Sequence, residues 1–161
     1  MEIDFFVIGS QRCGTTWIDE ALRSTNEVLL PINKQTYYFD RNYSKGIDWY
    51  FGQYDKSVTS GYKLAGEVAT GYCLDGAIDR LALSFPSAKL ILVVREPVSR
   101  AYSNFKKRNI EYAGQSFEGA IENDEDLVAR GLYGEMLVRI YKHFPLHQVQ
   151  IVYFEVFYYP I

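Results

Sequence analysis

The most regular feature of the chain is a series of short apolar runs. Three of them contain no polar position and a fourth is weaker; they cover residues 5–8, 90–94, 151–154 and 62–68. Unbroken apolar runs of this length are typical of strands that are covered on both faces, as in parallel sheets flanked by helices. The pattern therefore predicts a buried parallel sheet.

Segments with helical spacing separate the predicted strands. Apolar side chains recur three and four positions apart in residues 16–23, 76–85, 97–109 and 133–144. Strands and helices that alternate in this way predict an α/β fold with right-handed crossovers. The expected architecture is a three-layer sandwich, with a central parallel sheet flanked by helices, in a single domain over residues 1–161.

Composition narrows the class of protein. The chain has 48% apolar residues, two cysteines and a formal net charge of −3. These values exclude a disordered chain and a disulfide scaffold, and they argue against a broad basic surface for nucleic acid. The longest apolar run has five residues, too few to span a bilayer. We expect a cytoplasmic protein, and we expect truncation at the C-terminus because the chain stops directly after a predicted strand.

A loop suited to anions follows the first predicted strand. It leads into a helix and reads Gly9-Ser10-Gln11-Arg12-Cys13-Gly14-Thr15-Thr16. Backbone N–H groups in such a loop bind phosphate or sulfate together with the helix N-terminus. Nucleotide triphosphatases place a lysine after the second glycine, whereas this chain has Thr15 there and a cation inside the loop at Arg12. The pattern predicts an anion site without a required Mg²⁺; the alternative is a tight turn that caps the helix.

A second anion site is predicted at the end of the strand that precedes Arg95. Ligands of open α/β sheets collect beyond the carboxyl ends of strands, where Arg95 lies. Ser99 and Ser103 are four residues apart on the following helix and share a face. Residues 95–108 hold five cations and one anion. The alternative is an ordinary solvated helix face, with Arg95 paired to Glu96.

Together the two motifs resemble the sulfotransferases that use 3′-phosphoadenosine 5′-phosphosulfate (PAPS). Residues 8–17 resemble that family's 5′-phosphosulfate loop, and residues 92–103 resemble its 3′-phosphate motif. Further segments follow the order found in the branch that includes the heparan sulfate sulfotransferases and bacterial relatives: residues 34–40, 45–50, 66–72 and 131–133. The resemblance covers nearly the whole chain. It implies a P-loop-like fold, PAPS as sulfate donor, 3′-phosphoadenosine 5′-phosphate (PAP) as product, and no metal.

The resemblance also implies roles for individual residues. Those expected to bind the 5′-phosphosulfate are Gln11, Arg12, Cys13, Gly14, Thr15 and Thr16. Those expected to bind the 3′-phosphate are Arg95 and Ser103. Those expected on the acceptor side are Lys34, Gln35, Tyr37 and Glu67. Arg12 and Lys34 are the expected catalytic cations, and the Cys13 side chain is interpreted as a small filler.

The general base departs from the family pattern. Relatives that act on glycans commonly place a glutamate where this chain has Gln35, and an amide takes no proton near neutral pH. We predict Glu67 as the base instead, because a carboxylate at that strand end is expected to face the same cleft. The aromatic residues Tyr37, Tyr38, Trp49 and Tyr50 are candidates for the acceptor wall or for a core cluster.

The sequence thus predicts one function and leaves two alternatives. The predicted function is transfer of a sulfuryl group from PAPS to a hydroxyl or amine of a small-molecule or glycan acceptor, by in-line displacement. The first alternative is a module that binds PAP or PAPS without turnover, which Gln35 favours. The second is a P-loop nucleotide kinase or phosphatase, which the missing lysine after Gly14 opposes.

Overall fold

A parallel sheet forms the centre of the chain, for which a computed structural model describes residues 1–55, 61–74 and 76–158. Its strands are β1 (Phe5–Gly9), β2 (Val28–Leu29), β3 (Leu64–Val68), β4 (Lys89–Val94) and β5 (Val149–Tyr153). They lie in the order β2-β3-β1-β4-β5, and each neighbouring pair is parallel. The predicted parallel sheet is confirmed, and β2 is a short strand that the apolar pattern did not show.

Helices cover the sheet and extend beyond the four that the sequence predicts. The α-helices are α1 (Thr15–Ser24), α2 (Ile47–Phe51), α3 (Ala77–Ser84), α4 (Pro97–Lys107), α5 (Phe117–Asn123), α6 (Glu125–Ala129), α7 (Tyr133–Tyr141) and α8 (Phe154–Tyr158). A π-helical turn spans Tyr38–Asn42, and 3₁₀ turns span Tyr43–Lys45 and Leu146–Gln148. Within the described ranges, no helix has the length and apolar character that crossing a membrane requires.

Two cores, one on each face of the sheet, explain why the central strand β1 contains no polar side chain. On β1, Phe6 and Ile8 join a large cluster that includes residues of α3 and α7. Phe5 and Val7 point the other way, into a smaller cluster against α1 and Phe154. Because successive side chains of a strand face opposite sides, a strand covered on both faces needs an apolar residue at every position. The three-layer arrangement is therefore confirmed.

The carboxyl ends of the strands bring separate loops to one edge of the sheet. β1 lies between β3 and β4, with Val7 paired to Val68 and Gly9 paired to Leu92. The loop after β1 leads into α1, and β4 leads through Arg95 into α4. In a parallel sheet such ends meet at the same edge, where ligands collect. This edge holds the two predicted anion sites.

The start of α4 is fixed by a side-chain cap. Glu96 accepts hydrogen bonds from the backbone N–H groups of Val98 and Ser99, at 2.9 and 2.7 Å, and Pro97 occupies the first turn. The Ser99 hydroxyl, and after it the two backbone N–H groups, hold the pKa of the Glu96 carboxyl below its usual value. Glu96 therefore serves as a helix cap, and both of its oxygens are directed to the helix end.

Candidate functional site

The two predicted anion sites form one cleft at the carboxyl edge of the sheet. A cavity of about 470 Å³ lies between the loop after β1 and the beginning of α4, and we call it the main cleft. The charged side chains among the described residues that line it are all cationic: Arg12, Lys34, Arg95 and Lys107. A cleft with this charge is suited to a ligand that carries several negative charges.

Direct contacts join the two motifs. Nη1 of Arg95 donates a hydrogen bond to the carbonyl oxygen of Arg12 at 3.1 Å. Nε of Arg12 donates to Oγ of Ser103, also at 3.1 Å. The backbone of Arg95 is held in turn by Tyr133, whose hydroxyl donates to the Arg95 carbonyl oxygen and accepts from its N–H. The loop and the helix thus hold their cations beside one another.

The loop before α1 leaves backbone donors available for an anion. Arg12 and Gly14 have left-handed backbone, with φ of 71° and 76°, and Gly14 occupies the N-cap position without a side-chain cap. The first N–H groups of a helix have no intrahelical acceptor, and here they lie beside the main cleft. Thr15 and Thr16, two of the residues expected to bind the 5′-phosphosulfate, also line that cleft.

Cys13 does not take the predicted place in the cleft. Its side chain is 1% exposed, and its backbone N–H donates to the carbonyl oxygen of Ser10 at 3.3 Å. Burial raises the pKa of the Cys13 thiol, which keeps it protonated. The Cys13 side chain is therefore not part of the cleft lining, and its interpretation as a small filler agrees with the packing.

Gly14 occupies a position that no other residue fits without strain. Its φ is 76°, and a Cβ atom would lie 2.8 Å from Cδ2 and from Cε2 of the Phe154 ring. The same ring lies 4.5 Å from the Arg95 guanidinium, so Phe154 packs between the loop and Arg95. The absence of a side chain at Gly14 thus permits the close approach of the two motifs.

We expect Gly14→Ala to lower the free energy of unfolding by about 2 kcal/mol, because it adds left-handed strain and a contact with Phe154. Gly134→Ala is the matched control, since a Cβ atom at Gly134 meets nothing within 4 Å. In the helix α7 that change is expected to raise the free energy of unfolding by about 0.5 kcal/mol. Urea denaturation of the three proteins measures both effects. Equal shifts in the two variants would contradict the assigned role of Gly14.

Lys34 lies over the beginning of α1. Its Nζ donates to Oγ1 of Thr16 at 2.9 Å and to Oγ1 of Thr15 at 3.3 Å. Burial in the cleft lowers the pKa of Lys34, while the negative charges of Asp19 and Glu20 oppose that shift. The segment after β2 therefore delivers a cation to the loop after β1.

A second cavity, the side cavity, adjoins the main cleft and has a volume of about 380 Å³. Gln11, Gln35 and Thr70 line both cavities. Oε1 of Gln35 accepts hydrogen bonds from N and Oγ1 of Thr70, at 3.3 and 3.4 Å. The other polar and charged side chains of the side cavity belong to Tyr37, Asp40, Arg41 and Arg130.

Glu67 lies beneath the site and does not line either cavity. Its side chain is 0% exposed, and Oε1 accepts from N and Oγ1 of Thr36 and from the hydroxyl of Tyr72 at 2.7 to 3.0 Å. Burial raises the pKa of Glu67 to about 7, an effect that these hydrogen bonds partly offset. The expectation that this carboxylate faces the cleft is wrong, because Thr36 and Tyr72 enclose it.

The remaining predicted residues divide between the site and the core. Tyr37 is exposed and lines the side cavity, whereas Tyr38 and Tyr50 are buried in the large core cluster and Trp49 packs against it. Arg100, one of the five predicted cations of the second motif, is fully buried and donates to the carbonyl oxygen of Leu127. Arg100 therefore joins α4 to the Leu127 backbone beneath the site and does not line the main cleft.

Sequence reasoning missed several residues of the site: Asp40, Arg41, Thr70, Lys107, Arg130 and Phe154. Asp40 and Thr70 lie within segments that carry the family resemblance, but the motifs alone assign no role to either. Lys107 enters the sequence pattern only as one charge of the second motif. Phe154 ends an apolar run, and only the folded chain shows that its ring reaches the loop after β1.

The chain matches a family model described as a sulfotransferase domain over residues 2–157. It is 32% identical over 143 residues to the membrane-associated sulfotransferase kil1 of Dictyostelium discoideum, covering 81% of this chain and 30% of that protein. It is 28% identical over 156 residues to the human heparan sulfate glucosamine 3-O-sulfotransferase 3B1, and this match covers 91% of this chain and 40% of that protein. The chain thus spans less than half the length of either relative.

Solved structures show the same fold. A sulfotransferase from Alicyclobacillus acidocaldarius superposes with a TM-score of 0.85 at 23% identity, covering 99% of this chain and 76% of that one. A sulfotransferase domain from the curacin biosynthetic pathway superposes with a TM-score of 0.67 at 14% identity, and the superposition covers 99% of this chain and 70% of that domain. The family model accounts for nearly every residue from the first strand to α8. The chain therefore belongs to the sulfotransferase family.

Proposed function

We propose that this chain transfers a sulfuryl group from PAPS to an acceptor hydroxyl or amine, without a metal ion. The observation that carries the proposal is the main cleft, in which the loop after β1 and the Arg95–Ser103 corner contact each other. PAPS has a phosphosulfate at one end of an adenosine and a phosphate on its 3′ oxygen. A cleft with two cationic ends and no carboxylate among its described lining residues matches that charge distribution.

When bound, PAPS supplies the sulfuryl group and leaves as PAP. The N–H groups at the start of α1 and the guanidinium of Arg12 neutralise the charge that the 5′-phosphate gains. Arg95 and Ser103 bind the 3′-phosphate. Lys34, held by the hydroxyls of Thr15 and Thr16, stabilises the oxygens of the transferring group. Such positioning and charge stabilisation supply most of the catalysis in group transfers with loose transition states.

The side cavity is the proposed acceptor site, and Asp40 is the proposed base. Asp40 is the carboxylate among the described residues that line this cavity; its side chain is half-buried, and its Oδ1 is a buried atom without a hydrogen-bond partner among those residues. A base must come within hydrogen-bond distance of the acceptor proton. Because Gln35 is an amide and Glu67 is enclosed, Asp40 replaces both in this role.

The acceptor class follows from the charges of the side cavity. Arg41 and Arg130 line the side cavity with Asp40. Nε of Arg130 is paired with Asp126 at 2.7 Å, whereas Arg41 has no salt bridge among the described residues. A guanidinium in this place suits an acceptor that carries an acidic group beside its reactive hydroxyl or amine. Relatives named as heparan sulfate glucosamine 3-O-sulfotransferases support a sugar as the acceptor. We therefore propose an acidic sugar unit.

Calorimetry with PAP and with ATP–Mg²⁺ tests the nucleotide. We expect PAP to bind at least about tenfold more tightly, because the Arg95–Ser103 corner adds charge-assisted contacts that ATP lacks. Binding of PAP is expected to be the same with and without EDTA. Tighter binding of ATP–Mg²⁺ would overturn the proposal in favour of a P-loop kinase. Transfer of radioactive sulfate from PAPS to heparan-derived oligosaccharides then separates an enzyme from a module that only binds the nucleotide.

A further inference from the structure

A third cavity meets the main cleft at the beginning of α4, and we call it the corner cavity. Its volume is about 480 Å³, and the described residues that line it include four cations and no carboxylate. The residues that line both the corner cavity and the main cleft are Arg12, Arg95, Ser103 and Lys107. Three of these are anion-binding residues predicted from the sequence, and Lys107 has no predicted role.

The position of Lys107 follows from the helix that carries it. Ser99, Ser103 and Lys107 are spaced by four residues along α4 and therefore share one face. That face is directed at the corner cavity, which all three residues line. Lys107 is exposed, and its side chain has three donors on a flexible stem. A flexible ammonium at this place reaches an anion that Ser103 and Arg95 hold.

One guanidinium is assigned to the 3′-phosphate at this corner, because Arg12 is assigned to the 5′-phosphate. Arg95 donates to the Arg12 carbonyl oxygen and lies over Phe154, and these neutral partners leave its single positive charge unchanged. A phosphate monoester carries a charge of about −1.5 to −2 at neutral pH, more than one guanidinium neutralises. Lys107 is the remaining cation that borders both cavities within the described lining.

We infer that Lys107 is a specificity residue that binds the 3′-phosphate of the nucleotide and makes the chain prefer PAP to AMP. AMP is the same nucleotide without the 3′-phosphate, so the two ligands isolate this contact. The inference rests on the proposed function, since it assigns a partner within the same nucleotide site. It also predicts that the preference for PAP weakens as salt is added, because an exposed ammonium is screened.

The test compares the dissociation constants of PAP and AMP in the wild type and in Lys107→Ala, both measured by calorimetry. We expect Lys107→Ala to weaken PAP binding about tenfold, since one charge-assisted contact is lost. AMP binding is expected to stay within about twofold, and Lys107→Arg is expected to keep the preference. Lys142→Ala is the matched control, because Lys142 is exposed and lines neither the main cleft nor the corner cavity.

Each outcome decides a separate question. A Lys107→Ala protein with the wild-type ratio of PAP to AMP affinity overturns the inference. So does a variant that loses affinity for both nucleotides equally, because Lys107 then acts as a general charge. If the wild type itself binds PAP no more tightly than AMP, the proposed function fails, whatever the variant does.

Discussion

Between pH 4.5 and 7, the free energy of unfolding of the wild type is expected to fall by about 3 kcal/mol relative to that of Glu67→Gln. The pKa of Glu67 is about 7 in the folded chain, against an ordinary value of 4.5. In this window the folded chain keeps the proton and the unfolded chain releases it. Stability therefore falls as pH rises through the window and is constant with respect to this group above it.

The cause of the shift is the burial of one side chain. Three donors meet Oε1 of Glu67, whereas Oε2 is buried and has no partner among the described residues. Ionisation of Glu67 thus places a charge in a site that only partly solvates it. The amide introduced by Glu67→Gln keeps an acceptor for Thr36 and Tyr72, but it does not titrate.

Urea denaturation at half-unit steps from pH 4 to 8 measures the difference between the two proteins. Glu122→Gln is the control, because Glu122 is exposed, and its curve is expected to run parallel to that of the wild type. Other groups titrate equally in all three chains and cancel in the comparison. A difference between the wild type and Glu67→Gln that stays constant across the range would show that the pKa of Glu67 is the same in the folded and the unfolded chain, which would contradict the prediction.

The centre of the sheet could be predicted from sequence because β1 and β4 are covered on both faces. These two strands appear as apolar runs for that reason, and β3 appears more weakly because Glu67 interrupts it. The edge strand β5 is only partly buried, with Gln150 and Tyr153 exposed. The two-residue strand β2 is too short to form a pattern. Right-handed crossovers then place the strand ends, and with them both anion motifs, at one edge.

The segment between β2 and β3 could not be predicted in the same way. Its π-helical turn and α2 are held by rings such as Tyr38 and Tyr50, which stack at a centroid distance of 4.9 Å. Those contacts join residues twelve positions apart, with no period along the chain. The environment of Glu67 is equally non-local, since Thr36 comes from that segment and Tyr72 from the turn after β3. Lys107, by contrast, follows Ser103 by one helical turn, and that spacing is visible in the sequence.

Asp40→Asn is expected to reduce sulfuryl transfer about 10²- to 10⁴-fold while PAP binding stays within about twofold. In the proposed step the acceptor oxygen forms a bond to sulfur, and the bond from sulfur to the 5′-phosphate oxygen breaks. The electron pair of that bond leaves with the phosphate, and the acceptor proton moves to the Asp40 carboxylate. An amide at position 40 keeps the size of the side chain and takes no proton.

Two variants make the assignment specific to Asp40. Glu67→Gln is expected to keep transfer within about threefold of the wild type, since Glu67 does not line the side cavity. Asp48→Asn removes an exposed carboxylate of α2 and is expected to leave transfer unchanged. Single-turnover measurements at saturating PAPS compare the four proteins, and melting curves check their folding. If Asp40→Asn retains wild-type transfer and Glu67→Gln loses it, the enclosed carboxylate is the base, which requires the Thr36 segment to open during the reaction.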